Sequence, residues 1–400
     1  MNILFVDDEP AIIEALENRL YKMRGKWSMR FAIGAQQALV MLQEQSFDVI
    51  VSDIRMSGMN GVELLERVRE RYPEMMRLAL TGQTEREQLL KLFGLTHSIV
   101  GKPARQGDIE SAINRAASIK QILTNKAVYK VVANINSFPA VPTLHQRLAS
   151  LIRKENVSFD EIAALIEQDA SMAARLLQIA NSSIFNSARE IVGLSEAITY
   201  IGLEELSCIV LSTELFDSYG SGLSFPGFSL KGLQQHSIEV ARIAQRIMGI
   251  KKGAKIAFTS AVLHDVGLLV MAAELPEVFK ASCAYAKKHK VSLHAAAIHL
   301  NACCHCEVGA YLLAMWGFPL SVIEAVAHRH QPKQLGKEEL TPASAVHLAD
   351  CLCNTDGWLL GVKEQVIDVD GDHLSGHGFK EGMEGWRQLS REVEMLKGVQ

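Results

Sequence analysis

Asp7, Asp8, Asp53, Thr81 and Lys102 each close a short apolar run, and those residue types together can handle a phosphoryl group. The run Phe47 to Asp53 is apolar on both faces, which suits a central parallel strand covered by helices on each side. Asn2 to Val6 stops at Asp7 and Asp8, Arg77 to Leu80 at Thr81, and Ser98 to Gly101 at Lys102-Pro103. Trp27 to Ile33 supplies a fifth strand without obvious chemistry. Ligand sites in open parallel sheets lie at the carboxyl ends of the strands, so these residues are expected at one edge. Three converging carboxylates repel one another and usually hold a hard divalent cation such as Mg²⁺. A lysine and a hydroxyl beside them suit the negative oxygens of a transferred phosphoryl group.

The elements that must position these residues alternate between strand and helix. Pro10 to Arg24 carries Ile12, Leu16 and Leu20 four apart on one face. Gln36 to Gln43, Gly61 to Arg71 and Glu85 to Phe93 are the next helices, the second stopping before Pro73. This alternation implies a five-stranded parallel sheet wound on both faces. Gly107 to Leu123 is the last helix of the set, and weak apolar spacing continues through Ala127, Val131 and Ile135. That continuation reads equally as a homodimer seam and as a plain linker.

In order, spacing and residue type, residues 1–123 resemble the receiver domain of bacterial two-component response regulators. The resemblance implies that Asp53 is the phosphoacceptor and that Asp7, Asp8 and Asp53 hold Mg²⁺. It implies further that Thr81 is the switch hydroxyl, that Lys102 contacts the phosphoryl group, and that the Lys102-Pro103 bond is often cis. The implied partner is a sensor histidine kinase or a phosphotransfer protein. Ile99 stands where receivers often carry Tyr or Phe.

From Asn136 on, the pattern becomes helix after helix. Pro142 suits the first turn of a helix to Arg153, and Ser158 with Glu161 makes a capping box for the next. Ala170 to Ala180, Glu196 to Ile201 capped by Ser195, Glu204 to Ser218 and Lys231 to Met248 follow. Leu144, Leu148, Ile166, Leu176, Leu177 and Ile201 are the expected core positions. Phe138-Pro-Ala-Val-Pro142, Ile166-Glu-Gln-Asp169, Ala180-Asn-Ser182, Ala197 to Leu203 and His264-Asp265-Val266-Gly267 together resemble the HDOD domain, an all-α relative of the HD phosphohydrolases. HDOD domains are generally regarded as regulatory.

The resemblance places His236, His264, Asp265, His305, His330 and Asp350 where HD phosphohydrolases keep metal ligands. A metal there would activate water for attack on a phosphoester. His264 and Asp265 lie in an apolar helix, Ala254 to Met271, where polar groups must find partners. The family's paired histidines are replaced by Arg329-His330, with His328 one position earlier. Adjacent helical residues diverge by about 100°, so His328 does not replace the displaced ligand. Arginine cannot deprotonate to bind a metal, but it pairs with carboxylates or phosphate. The glycine-tyrosine-proline signature of cyclic dinucleotide phosphodiesterases is absent. The expectation is a polar pocket, with a second metal as an open question, that does not hydrolyse cyclic dinucleotides. The alternative is a phosphorylation-controlled, metal-dependent phosphohydrolase.

Cys303, Cys304 and Cys306 flank His305, and clustered thiolates bind Zn²⁺. Neighbouring helical positions point apart, so buried thiols are the preferred reading. Asp368 to Asp372 lacks the glycine and acid positions of a calcium loop and reads as solvated. Gly385 to Lys397 reads as a last amphipathic helix.

With 48% hydrophobic and 22% charged residues, the 400-residue chain can bury large cores. Its 41 basic and 45 acidic side chains, a net charge of −4, give no electrostatic case for nucleic acid. No run is expected to span a bilayer, and no signal peptide is expected, because the first residues read directly as a strand. Seven unevenly spread cysteines argue against a disulfide framework, so a cytoplasmic location is expected. The expected organisation is a receiver domain at 1–123, a helical linker at 124–135, an HDOD domain at 136–355 and a helical extension at 356–400. It signals to an unidentified downstream protein or ligand.

Overall fold

The computed structural model describes residues 1–82, 92, 95–123, 128–129, 142–154, 156–181, 191–220, 229–249, 253–300, 302–336 and 339–353. The chain divides into two compact units, Met1–Ala140 with Ala310–Ile323 and Val141–Gly309 with Glu324–Gln400.

In the first unit β1 (Asn2–Asp7), β2 (Ser28–Ile33), β3 (Val49–Asp53), β4 (Met76–Thr81) and β5 (Ser98–Gly101) form one sheet in the order β2-β1-β3-β4-β5, parallel throughout. The connecting helices are α1 (Pro10–Leu20), α2 (Ala35–Glu44) and α3 (Gly61–Arg71), and α4 (Gln106–Ile122) follows β5. Val6 pairs with Ser52, Asp53 with Leu80 and Thr81 with Gly101, which puts the chemistry-bearing strand ends at one edge. Every residue of β3 and β4 is buried, as two-sided apolar strands require. Arg77 is the one basic residue in these two strands: its guanidinium is buried, with Nε donating to Leu95 O at 2.8 Å and Nη1 to Met75 O at 3.0 Å. One face of the sheet packs Leu4, Val6 and Ile50 against Leu64, Leu65 and Val68 of α3. The expected helix over Glu85 to Phe93, apart from the buried Leu92, and most of the connector 124–135 lie outside the described residues.

From Thr143 on, the described residues contain helices and no strand. They are α5 (Thr143–Ile152), α6 (Phe159–Ile166), α7 (Ala170–Ala180), α8 (Leu194–Ile201), α9 (Leu203–Gly220), α10 (Leu230–Met248), α11 (Ala254–Val262), α12 (Val266–Glu274), α13 (Pro276–His289), α14 (Leu293–His299), α15 (His305–Met315), α16 (Leu320–Ala327) and α17 (Pro342–Cys353). Ser158 and Glu161 cap α6 reciprocally, each at 3.1 Å. Ser195 does not cap α8: Gly193 takes that position, and the Ser195 hydroxyl donates to Asp160 at 2.7 Å. Leu144, Leu148, Ile166, Leu176 and Ile201 are buried. Leu177 is only half-buried, because it lies about 100° around α7 from Leu176.

The stretch Ala254–Glu274 is long and apolar enough to cross a membrane by length and composition, contrary to expectation, yet 83% of its most apolar 18-residue segment is buried inside the protein. It is not one helix. The chain breaks over Leu263 to Asp265, between α11 and α12, and the His264-Asp265 pair sits at that break. The residues 356–400 lie outside the described part.

Candidate functional site

At the edge of the sheet, Lys102 Nζ lies 2.7 Å from Asp53 Oδ1 and 2.8 Å from Asp7 Oδ2. Asp7, Asp8 and Asp53 each offer an oxygen, all within 4.8 Å of one another, so the three could hold a metal ion. The Ser57 amide donates to Asp8 Oδ2 at 2.6 Å and holds that carboxyl below its ordinary range. Burial, helped by the Asp7 charge, pushes Asp53 up against the pull of Lys102. Burial opposes the Lys102 charge too, but the bonds to Asp53 and Asp7 outweigh it and raise its pKa. Thr81, at the end of β4, is buried, and its carbonyl accepts from the Lys102 amide at 2.6 Å. The Lys102-Pro103 peptide is cis. Gly61 opens α3 directly against the Asp53 carbonyl, and a Cβ there would collide with that oxygen. Gly61 thus shapes the loop that carries Asp53, a role the sequence did not reveal.

In the second unit α10 packs against α11 and α17. That packing brings His236 from α10 to Asp350 of α17, Nε2 to Oδ1, at 3.0 Å. His264 donates Nδ1–H to the Ala261 carbonyl, and its Nε2 lies 3.1 Å from Asp265 Oδ2. With both ring nitrogens facing acceptors, the imidazolium is favoured. Burial opposes the charge, but Asp265 overrides it and raises the His264 pKa to about 9.

Arg329 lies at the centre, with only 1% of its surface exposed. Its Nη1 donates to Asp350 Oδ2 at 3.0 Å and its Nη2 to Asp265 Oδ1 at 2.6 Å. Nη2 also reaches His305 Nε2. An arginine only donates, so that His305 nitrogen accepts and the ring is neutral. Burial and the Arg329 charge lower the His305 pKa to about 3. His330 Nε2 lies 3.3 Å from His305 Nε2. Burial opposes ionisation of Asp265, yet Arg329 and His264 hold it well below the carboxylate range. Asp350 is likewise held low, by His236, His264 and Arg329. Two carboxylates thus face one guanidinium and one imidazolium.

The HDOD domain family matches residues 138–332, and the response regulator receiver domain family matches residues 3–114. The chemotaxis protein CheY of Pseudomonas aeruginosa is 34% identical over 93 residues, 23% of this chain and 74% of CheY. The chain is a two-component response regulator with a receiver domain and an HDOD domain. An uncharacterized protein of Treponema pallidum is 24% identical over 236 residues, 58% of this chain and 45% of that protein. The hydrogenase transcriptional regulatory protein HoxA of Cupriavidus necator is matched over 18% of its length. The chain therefore spans less than half the length of the Treponema pallidum and Cupriavidus necator proteins. The crystal structure of an HDOD domain protein with unknown function from Geobacter sulfurreducens superposes with a TM-score of 0.54 at 24% identity. It covers 70% of this chain and 98% of that one, and it shows the fold.

The resemblance of these residues to HD phosphohydrolases would imply a divalent metal in this pocket, and the residues here do not fit one on the Asp265–Asp350 axis. Arg329 already bridges both carboxylates and occupies the His305 lone pair. His236, His264 and Asp350 do place three donor atoms within 4.8 Å of one another. Of these, His264 has its Nδ1 committed to the Ala261 carbonyl, while its Nε2 lies 3.1 Å from Asp265 Oδ2 and 3.7 Å from Asp350 Oδ1 without a hydrogen bond to either. His328 lies outside the cluster, on the residue before Arg329, and its amide continues the α16 ladder to Glu324.

Two contributors were missed by sequence reasoning. Gly267 lets the start of α12 pass directly against the His305 carbonyl, and a Cβ there would collide with it. This close approach seats His305 beside Asp265. His294 on α14 stacks on the His330 ring, centroids 4.5 Å apart, and its Nδ1 lies 3.8 Å from Cys306 Sγ. The spacing from His294 to Cys304-His-Cys306 was the available signal. Cys303 is buried but is not part of that group.

Proposed function

We propose that Asp53 accepts a phosphoryl group from a sensor histidine kinase or a phosphotransfer protein in the cytoplasm, and that the modified receiver domain controls a non-catalytic HDOD domain. That domain then signals by binding a protein or a small ligand. In this reading a carboxylate oxygen of Asp53 attacks phosphorus and the donor's nitrogen leaves. Asp7, Asp8 and Asp53 would hold Mg²⁺, whose chemistry is to neutralise charge on the transferring oxygens. Lys102, already paired with Asp53, supplies the fixed positive charge for the phosphoryl oxygens, and Thr81 supplies the hydroxyl. We place the domain boundaries at 123, 135 and 355.

The observation that carries the non-catalytic half is the buried Arg329 guanidinium between Asp265, Asp350 and His305. Hydrolysis by an HD-type centre needs an open metal position and a positioned water. A fixed cation on both carboxylates removes the first requirement.

The test uses the full chain with Mg²⁺ and a small-molecule phosphodonor, read by intact mass. The wild type gains one phosphoryl group and Asp53→Asn gains none. Labelling that persists in Asp53→Asn contradicts the assignment. Affinity capture with beryllofluoride-treated wild type against Asp53→Asn then reports the state-dependent partner.

A further inference from the structure

Beside the Arg329 cluster lies a second group of potential ligands that the regulatory reading does not use. Cys304 sits just before α15 and Cys306 in its first turn, with their sulfurs 2.9 Å apart. Cys306 Sγ lies 3.8 Å from His294 Nδ1, and the three donor atoms are all within 4.8 Å of one another. Sequence reasoning set these cysteines aside because adjacent helical side chains diverge. That objection fails here, since Cys304 precedes the helix and Cys303 is not involved. The turn is built to present both sulfurs. The Cys304 amide donates to Glu307 Oε2 at 3.0 Å, and the Ala302 amide bonds the Ala297 carbonyl at 2.9 Å, tying this loop to α14. Both thiols are buried, together with Ala297, in a small apolar cluster, while His294 is partly exposed.

We propose that His294, Cys304 and Cys306 form a binding site for a thiophilic metal ion, Zn²⁺ foremost, with His330 as the candidate fourth donor. Sulfur and imidazole are the ligands Zn²⁺ prefers, and a Cys₂His₂ set suits its tetrahedral geometry. Zn–S bonds of about 2.3 Å put two tetrahedral sulfurs about 3.8 Å apart. The thiols therefore need to separate by only about 1 Å. His330 stands beside both histidine and thiol: its ring stacks on His294, and it groups with Cys306 and His305. The site differs in kind from the Arg329 cluster, whose acidic groups already have a cation. It would tie α14 to the turn that presents His305 to Arg329, so the ion would fix one wall of the HDOD pocket.

The test takes the full chain, purified under reducing conditions, and measures Zn²⁺ content, Zn²⁺ affinity against a chromogenic chelator, and absorption after Co²⁺ substitution. The expected result is one Zn²⁺ per chain and a sulfur-to-cobalt charge-transfer band. Cys306→Ser and the partly exposed His294→Ala should lose the band and bind Zn²⁺ at least about tenfold more weakly. Asp53→Asn and Asp265→Asn should retain both. Circular dichroism of His294→Ala guards against a folding defect, because that side chain is not in the core. Several results overturn the proposal: no bound Zn²⁺, cobalt binding without the sulfur band, or Zn²⁺ lost in Asp265→Asn but kept in Cys306→Ser. A Cys304–Cys306 disulfide in freshly reduced, metal-supplemented protein, seen as a mass loss of two hydrogens, overturns it as well.

Discussion

Arg329 and His264 decide the character of the HDOD pocket, and each makes a measurable contribution. Removing Arg329 leaves Asp265 and Asp350 buried and facing each other without their shared cation. Breaking a buried pair in this way costs about 3–5 kcal/mol, so Arg329→Ala should unfold at markedly lower urea than the wild type. Arg329→Lys should recover only part of the loss, since one ammonium cannot reproduce the two-pronged contact. His264 contributes through pH. Its folded pKa, about 9, stands above the unfolded value of about 6.5, so the folded state holds the proton more tightly. The stabilisation is complete below about pH 6.5 and is lost as pH rises toward 9, about 3 kcal/mol in all. Urea unfolding of the helical domain at pH 6.5 and pH 9.5 should show this alkaline loss, and His264→Gln should lack it. The identity of these pocket residues was legible in the sequence, because a His-Asp pair in an apolar run demands partners. Their arrangement was not. No spacing rule says that a guanidinium, rather than an ion, lies between two aspartates far apart in the chain.

At the level of elements, the strands and most helices were legible from apolar periodicity and caps. The Ser158–Glu161 capping box and the two-sided apolar run of β3 are the clearest cases. The break between α11 and α12 was not legible, because hydrophobicity continues across it and only the chemistry of His264 and Asp265 marks the turn. The Gly267 contact was equally hidden. A glycine in an apolar run says nothing about which backbone passes over it. Gly267→Ala should push α12 away from the start of α15, at a cost of about 1–3 kcal/mol or more, since the obstacle is backbone rather than a flexible side chain. Within α7 the two leucines should differ. Leu176→Ala should lose about 2–5 kcal/mol and Leu177→Ala clearly less, because only Leu176 is fully buried. Equal losses in urea melts would mean that the α7 face is rotated from its place here.

The whole molecule combines a receiver whose acidic edge gathers Asp7, Asp8 and Asp53 with an HDOD domain in which an arginine bridges two carboxylates. The order of the two domains was legible because each carries several motifs in sequence. The mode of output was not, since it depends on side-chain geometry inside one pocket. The most direct measurement is turnover. Metal-supplemented full-length protein, with and without beryllofluoride, is incubated with cyclic dinucleotides and nucleoside phosphates, and the products are resolved by chromatography. The account predicts no hydrolysis in either state. Hydrolysis by the wild type that disappears in Asp265→Ala would contradict it.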